Sequence, residues 1–373
     1  MTPSLIRSIP FFDYPFLFQS EEKELVAIFR DVGRRGAFIL QEDGARFERN
    51  LAAFLGARGA LGVANATDGL LIALRASGIG PGDEVIFSSH TMVATAAAIH
   101  FAGAKPVPVE CAADHLIDPA AVAAAITPRT RAILPTQLNG RTANMDALQA
   151  IARKHGLQIV EDAAQALGSS FKGRCAGTFG TAAAISFFPA KVLGCLGDGG
   201  AVVSNDAAIL ERMLRLRDHG RGSDGEIAGW GLNSRLDNLQ AAILDYRLRS
   251  YARVIERRRA LARIYRERLS AIEELALPPG PDNDPDHFDV FQNYEIGAER
   301  RDALRAFLRA RGIGTLIQWG GKAVHQWDKL GFQSYLPFTE QLFERLLLLP
   351  MNLSLADDDV EQVCDALIDF YRS

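Results

Sequence analysis

Between residues 60 and 205 the chain repeats one unit: a helical segment, a turn marked by Gly or Asp, and a short apolar run. The helical segments are TDGLLIALRASGI (67–79), MVATAAAIHFAG (92–103), DPAAVAAAI (118–126) and NMDALQAIARKHG (144–156). The runs that follow them are DEVIFSS (83–89), KPVPVE (105–110), RAILPT (131–136) and LQIVED (157–162), and AAAISFF (182–188) and GAVVSN (200–205) complete the series. These runs are near-continuously apolar rather than alternating, as strands are when helices cover both faces of a sheet. Alternating β and α units of this length predict a doubly wound, largely parallel sheet. Ligands bind such sheets beyond the carboxyl ends of the strands. The residues to inspect first are therefore 88–90, 136–139, 162–165 and 186–191.

A chain of 373 residues has room for two domains. The texture changes after Asn233. Residues 235–269 read as one long helix with apolar residues at helical spacing. Its seven arginines between Arg247 and Arg263 read as the solvated face of an amphipathic helix rather than a nucleic-acid patch. A Pro/Asp-rich loop (277–289), a strand-like run (290–296), a helix (300–312) and two more helices near 338–348 and 357–371 follow. This predicts a large α/β domain over 20–245 and a smaller α+β domain over 246–373, joined by the N-terminal segment 1–19.

The formal net charge of −4 offers no electrostatic footprint for nucleic acid or an acidic membrane surface. The four cysteines (Cys111, Cys175, Cys195, Cys364) lie far apart with no C-x-x-C pair, so neither a metal site nor a disulfide framework is expected. Cys195 reads as small packing. No stretch approaches a membrane span, and the N-terminus interleaves Pro, Asp and aromatics, unlike a signal peptide. The expected location is the cytoplasm.

No glycine-rich stretch forms a dinucleotide fingerprint: GIGPGDE (78–84) precedes a strand, and GDGGAVV (197–203) leads into one. VANATDGLLIAL (63–74) differs, because a helix begins at its small residues. Free N–H groups there, with the helix dipole and the Thr67 hydroxyl, suit a phosphate; ordinary N-capping is the alternative. Lys191, in SFFPAKVLGCLGDGGAVV (186–203), is one of 7 lysines against 34 arginines. Alone it reads as a surface residue. Four features converge on it. Asp162 ends a strand and suits a protonated pyridine nitrogen. Ser186 and Thr67 suit a phosphate. His90 and Met92 follow a strand and suit the face of a flat ring. Pyridoxal 5′-phosphate requires all of these, with a lysine amine kept neutral by burial or nearby positive charge.

The ordered motifs EDAAQALG (161–168), SFFPAK…GDGGAVV, RDHGR (217–221), LNSRLDNLQAAIL (232–244) and GDEVIFSSHTMVATAAAIHFAGAKPVPVE (82–110) resemble the DegT/DnrJ/EryC1/StrS family of sugar aminotransferases. The resemblance spans nearly the whole chain and is strongest over 36–245. It implies the pyridoxal-phosphate-dependent transferase fold of the aspartate aminotransferase type, fold type I. Position by position, it implies that Lys191 forms the Schiff base and Asp162 pairs with the ring nitrogen. Gln165 lies near the ring hydroxyl, and Ala66, Thr67 and Ser186 hold the phosphate. His90 or Met92 covers the ring. Asn233 reaches the cofactor phosphate of a neighbouring subunit, which implies a homodimer with shared sites. Two positions depart from the family pattern: Ala66 stands where Gly is usual, and Met92 where an aromatic residue is frequent.

The resemblance further implies L-glutamate as amino donor and a nucleotide-linked keto sugar as acceptor, with its ketone at C-3 or C-4. The setting would be amino-deoxysugar synthesis for a surface polysaccharide or a glycosylated metabolite. Trp319 and His325, in IQWGGKAVHQW (317–327), are candidates to line the sugar or nucleotide site. Two other readings are a pyridoxal-phosphate-dependent sugar dehydratase, whose relatives carry histidine where Lys191 stands, and a cofactor-binding regulator without turnover.

Overall fold

The computed structural model describes residues 8–372. In chain order its strands are β1 (Gly59–Val63), β2 (Glu84–Ser88), β3 (Lys105–Val109), β4 (Thr130–Leu134), β5 (Gln158–Asp162), β6 (Ser170–Phe171), β7 (Arg174–Cys175), β8 (Ala182–Ser186), β9 (Gly200–Ser204), β10 (Leu275–Ala276), β11 (His287–Phe288), β12 (Tyr294–Ala298) and β13 (Leu346–Leu349). Its helices are α1 (Tyr14–Gln19), α2 (Glu22–Arg35), α3 (Glu42–Leu55), α4 (Ala66–Ala76), α5 (Val93–Phe101), α6 (Pro119–Ala124), α7 (Met145–His155), α8 (Ala207–Arg217), α9 (Asn238–Leu248), α10 (Tyr251–Leu269), α11 (Arg301–Ala310), α12 (Pro337–Arg345) and α13 (Asp357–Arg372).

Seven strands form the central sheet in the order β1-β9-β8-β5-β4-β2-β3. The six strands read from the sequence are all present. The pairs from β3 through β8 are parallel. Only β9 runs against its neighbours, β8 and β1. The segment 187–199 between β8 and β9 holds no helix, so the chain turns back beside β8 instead of crossing over. That reversal places Lys191 at the carboxyl edge of the sheet.

Successive strand residues face opposite sides, and each side is apolar. Val85, Phe87, Ala182 and Ala184 pack beneath Leu70 and Leu74 of α4, Ile99 of α5 and Met213 of α8. Ala183 and Ile185 meet Phe47 and Leu51 of α3 and Leu244 of α9. Ile86 and Ile133 meet Met145 and Leu148 of α7. The C-terminal part has its own core, in which Leu261, Tyr265 and Leu269 of α10 pack with Leu304, Leu308, Val363 and Leu367 around the antiparallel β10-β12-β13 sheet. Ile9 is buried in that core and bridges Ile313; residues 1–7 of the N-terminal segment lie outside the described residues.

Three expectations are corrected. Residues 235–269 form two helices, α9 and α10, interrupted at Arg249–Ser250, and the second of them spans both cores. The first turns of α10 bury Tyr251 and Ile255 in the large core, and its later turns bury Leu261 to Leu269 in the small one. Second, Arg258 and Arg259 are buried rather than solvated. Arg258 donates to the carbonyls of Phe291 (2.8 Å) and Gln292 (2.7 Å), and Arg259 to those of Asp289 (2.9 Å) and Pro281 (2.8 Å). Third, the helix expected to reach residue 348 ends at Arg345. The four leucines that follow are a strand buried on both faces and paired to β12. No helix among the described residues is long and apolar enough to cross a membrane.

Candidate active site

The strand period separates the two acids at the end of β5. Glu161 points away from the site and accepts the N–H groups of Phe179 (2.7 Å), Gly177 (2.8 Å) and Gly180 (2.9 Å), a structural anchor. Asp162 points the other way, into a cavity of about 440 Å³. Its Oδ2 accepts from the Thr95 hydroxyl at 2.7 Å and its Oδ1 from the Ala164 N–H at 3.1 Å. Thr91 bonds both Thr95 and Thr136 at 2.9 Å, extending the hydroxyl chain. Burial raises the Asp162 pKa, and the hydroxyl and N–H bonds oppose that rise.

Opposite lies the start of α4. Asn65 caps it by accepting the Asp68 N–H at 2.9 Å, which leaves the Ala66 and Thr67 amides of the first turn without helical partners. Both residues line the cavity, as does Ser186 at the end of β8. The start of β9 passes directly beneath this turn. A Cβ on Gly200 would lie 2.7 Å from the Asn65 carbonyl carbon and 2.8 Å from the Ala66 nitrogen, so only glycine allows the approach. The result is a cradle of free N–H groups and two hydroxyls at a helix N-terminus, suited to a phosphate.

Lys191 follows a turn closed by its own N–H on the Phe188 carbonyl at 2.8 Å. The side chain of Gln292 grips the peptide on each side of it. Gln292 Nε2 donates to the Ala190 carbonyl at 2.9 Å, and Oε1 accepts from the Val192 N–H at 2.9 Å. The Gln292 carbonyl is itself held by Arg258. A buried arginine of α10 thus fixes the segment that fixes the lysine. Burial lowers the Lys191 pKa to about 8, with the Asp162 carboxylate opposing the fall. An amine in that state is available as a nucleophile near neutral pH.

Of the residues chosen from the sequence, Ala66, Thr67, Met92, Asp162, Gln165, Ser186, Lys191 and Trp319 line this one cavity. His90 does not. It is buried behind Trp319, with Nδ1 3.0 Å from the His115 carbonyl and Nε2 3.5 Å from Glu295 Oε2. Burial alone would lower its pKa, but the Glu295 carboxylate outweighs burial and raises it to about 10. Met92, half exposed, is the residue at the cavity. His325 is also turned away: Nδ1 lies 2.7 Å from the Ser89 hydroxyl and Nε2 3.0 Å from Glu340, so it staples the small unit to the end of β2. Asn233 is exposed, outside this cavity, and bridges Asp218. Cys195 is buried, with its thiol directed at the Phe187 carbonyl. Trp319 holds a left-handed backbone (φ 49°), a strained state that an unbranched glycine would adopt freely.

The sequence reading marked Thr136 only as a residue just beyond a strand, and missed Thr91, Thr95, Gln292, Asn293 and Gln318. Hydroxyls and amides carry no spacing signal.

The donor set fits pyridoxal 5′-phosphate. A buried carboxylate, an amide cradle with two hydroxyls and a buried lysine of lowered pKa converge on one cavity, and Gly200 leaves the cradle room for an anion. Asp162 would hold the ring nitrogen, Ala66, Thr67 and Ser186 the phosphate, and Lys191 the aldehyde carbon; the bound group would supply an electron sink for amine chemistry.

The comparisons agree. A family model described as the DegT/DnrJ/EryC1/StrS aminotransferase family matches residues 19–368. The chain is 42% identical over 365 residues to dTDP-3-amino-3,4,6-trideoxy-alpha-D-glucose transaminase of Streptomyces venezuelae, covering 96% of this chain and 95% of that one. It is 39% identical over 370 residues to a Geobacillus stearothermophilus protein named pleiotropic regulatory protein, covering 98% and 99%. A crystal structure of S. venezuelae DesV in complex with a ketimine intermediate matches the fold with a TM-score of 0.94 at 40% identity, covering 98% and 99%. The chain therefore belongs to the DegT/DnrJ/EryC1/StrS aminotransferase family and is a pyridoxal-phosphate-dependent aminotransferase of the nucleotide-sugar type.

Proposed function

We propose that the enzyme moves the amino group of L-glutamate to the C-3 ketone of a dTDP-linked keto-deoxyhexose, for amino-deoxysugar synthesis. The observation that carries this reading is the way the cavity opens. Past Met92 and Trp319 it continues into an apolar cleft formed by Val93, Trp327 and Leu330, with Lys322 and Lys329 beside it. The Lys322 ammonium lies 5.3 Å from the Trp327 ring centroid. Aromatic faces suit a base, and lysines suit a diphosphate. Two of the chain's few lysines meet here. The S. venezuelae relative, a dTDP-3-amino-3,4,6-trideoxy-alpha-D-glucose transaminase, supports the dTDP group and the C-3 position.

In this reading Asp162 holds positive charge at the ring nitrogen. Lys191 Nζ would hold and return the proton at the substrate carbon. Gln165, whose Oε1 accepts the Asn139 N–H at 2.9 Å, would lie beside the ring hydroxyl. Asn233, exposed on the loop after α8, serves the phosphate of a second copy, so the working form is a homodimer. The test is a panel of dTDP-, UDP- and GDP-linked 3- and 4-keto sugars given isotope-labelled glutamate nitrogen. Label should appear in an amino sugar from the dTDP-linked 3-keto compound first. Label in none of the panel would overturn the reading.

A further inference from the structure

Gln318 lies in the cavity wall, and its amide is held from behind. Its Nε2 donates to Glu295 Oε2 at 2.6 Å and to Asn139 Oδ1 at 3.2 Å. Glu295, on β12, is buried. Its Oε1 meets His115 Nδ1 at 2.7 Å, and its Oε2 lies 3.5 Å from His90 Nε2. Two imidazoles and an amide facing one carboxylate keep it ionised, and an ionised carboxylate only accepts hydrogen bonds. Turning the Gln318 amide over would set its carbonyl oxygen against a carboxylate oxygen. Asn139 locks the same orientation, because its Oδ1 also accepts from Asn293 Nδ2 at 2.8 Å.

The consequence falls on the other atom of the amide. Among the described residues, no hydrogen bond reaches Gln318 Oε1. The locked amide thus offers the cavity an acceptor that lacks a donor. The two substrates differ in what they can give it. Glutamate that has handed over its amine is a keto diacid with no donor at neutral pH, whereas a sugar ring carries hydroxyls.

We propose that Glu295 is a positioning residue that fixes the Gln318 amide with Oε1 toward the cavity, where it accepts a hydrogen bond from a ring hydroxyl of the amine-accepting sugar. This rests on the keto-sugar reading above. It assigns His90 and His115 a purpose as well: they hold the charge on Glu295.

The test separates the two half-reactions of the holoenzyme. In Glu295→Gln the amide facing Gln318 is free to turn, and in Gln318→Leu the acceptor is gone. Each variant should lose about tenfold more in the sugar half-reaction than in the glutamate half-reaction, the size of one hydrogen bond. A pair of acceptors differing by one ring hydroxyl sharpens the readout. Across a series of such pairs, wild type should favour one hydroxylated member, and both variants should lose that preference. Equal losses in both half-reactions would reduce Glu295 to a structural support and overturn the proposal; so would retention of the preference in Gln318→Leu. If wild type takes amine from glutamate yet gives it to no nucleotide-linked keto sugar, the functional reading itself fails. If wild type does transfer and the variants match it, only this inference fails.

Discussion

Replacing Gln292 by leucine removes the partners of both peptides that flank Lys191. The native side chain donates to the Ala190 carbonyl and accepts from the Val192 N–H, each at 2.9 Å. Leucine has similar bulk but offers neither atom. Each bond contributes about 1 kcal/mol net, and both backbone groups are only half buried, so water recovers part of the loss. The expected cost to the closed loop is about 2 kcal/mol, or roughly a 30-fold rise in the misplaced state. Two measurements read this. Native-state amide exchange at Val192 should accelerate by roughly 30-fold, and pyridoxal phosphate should bind more weakly by a similar factor. Gln292→Glu is the second arm: it keeps an acceptor for Val192 but sets a carboxylate oxygen against the Ala190 carbonyl. It should bind the cofactor more weakly than the leucine variant near neutral pH. If Gln292→Leu keeps wild-type exchange and affinity, the Phe188–Lys191 turn alone holds the lysine, and the clamp reasoning is wrong.

Further outcomes follow from the same geometry. Because burial brings Lys191 to about 8, cofactor capture by the apo protein should rise with pH and level off above that value; Asp162→Asn removes the opposing carboxylate and should shift the midpoint downward, whereas a midpoint at the ordinary lysine value near 10.4 would contradict burial as the cause. Gly200→Ala places a Cβ 2.7 Å from Asn65 and should weaken pyridoxal-phosphate binding by about fivefold or more, through the ~1–3 kcal/mol cost of overpacking; unchanged affinity would mean the phosphate does not sit over that turn. Trp327→Ala and Lys322→Ala should each weaken dTDP binding by about tenfold in a titration, and a dTDP affinity equal to wild type would place the nucleotide elsewhere.

Most of the large unit was legible because its strands are buried on both faces and its helices are punctuated. Asp162 and Lys191 stood out because one ends a strand and the other follows one at the sheet's carboxyl edge. The split of 235–269 was not legible: the apolar spacing runs across Arg249–Ser250 without a Gly or Pro, and the change from the large core to the small one falls inside α10 rather than at the break. Arg258 and Arg259 look like any arginines on a helix. Their burial depends on the carbonyls of 281–292 turning toward them. His90 and His325 follow strands or turns in the right places, but their directions are set by Glu295 and Glu340, remote in sequence. Gln292 and Gln318 left no trace in the pattern, because an amide acquires a role only through the partners that hold it.

The central claim is that Lys191 and its cavity pass an amine from glutamate to a nucleotide-linked keto sugar. The most direct measurement follows the visible absorbance of the lysine-linked cofactor through both halves of one cycle. Glutamate should abolish that absorbance in wild type, and a dTDP-linked 3-keto deoxyhexose should restore it with formation of an amino sugar. Lys191→Ala should show neither change. An absorbance that glutamate abolishes but that only a free keto acid restores, with every nucleotide-linked keto sugar inert, would contradict the account.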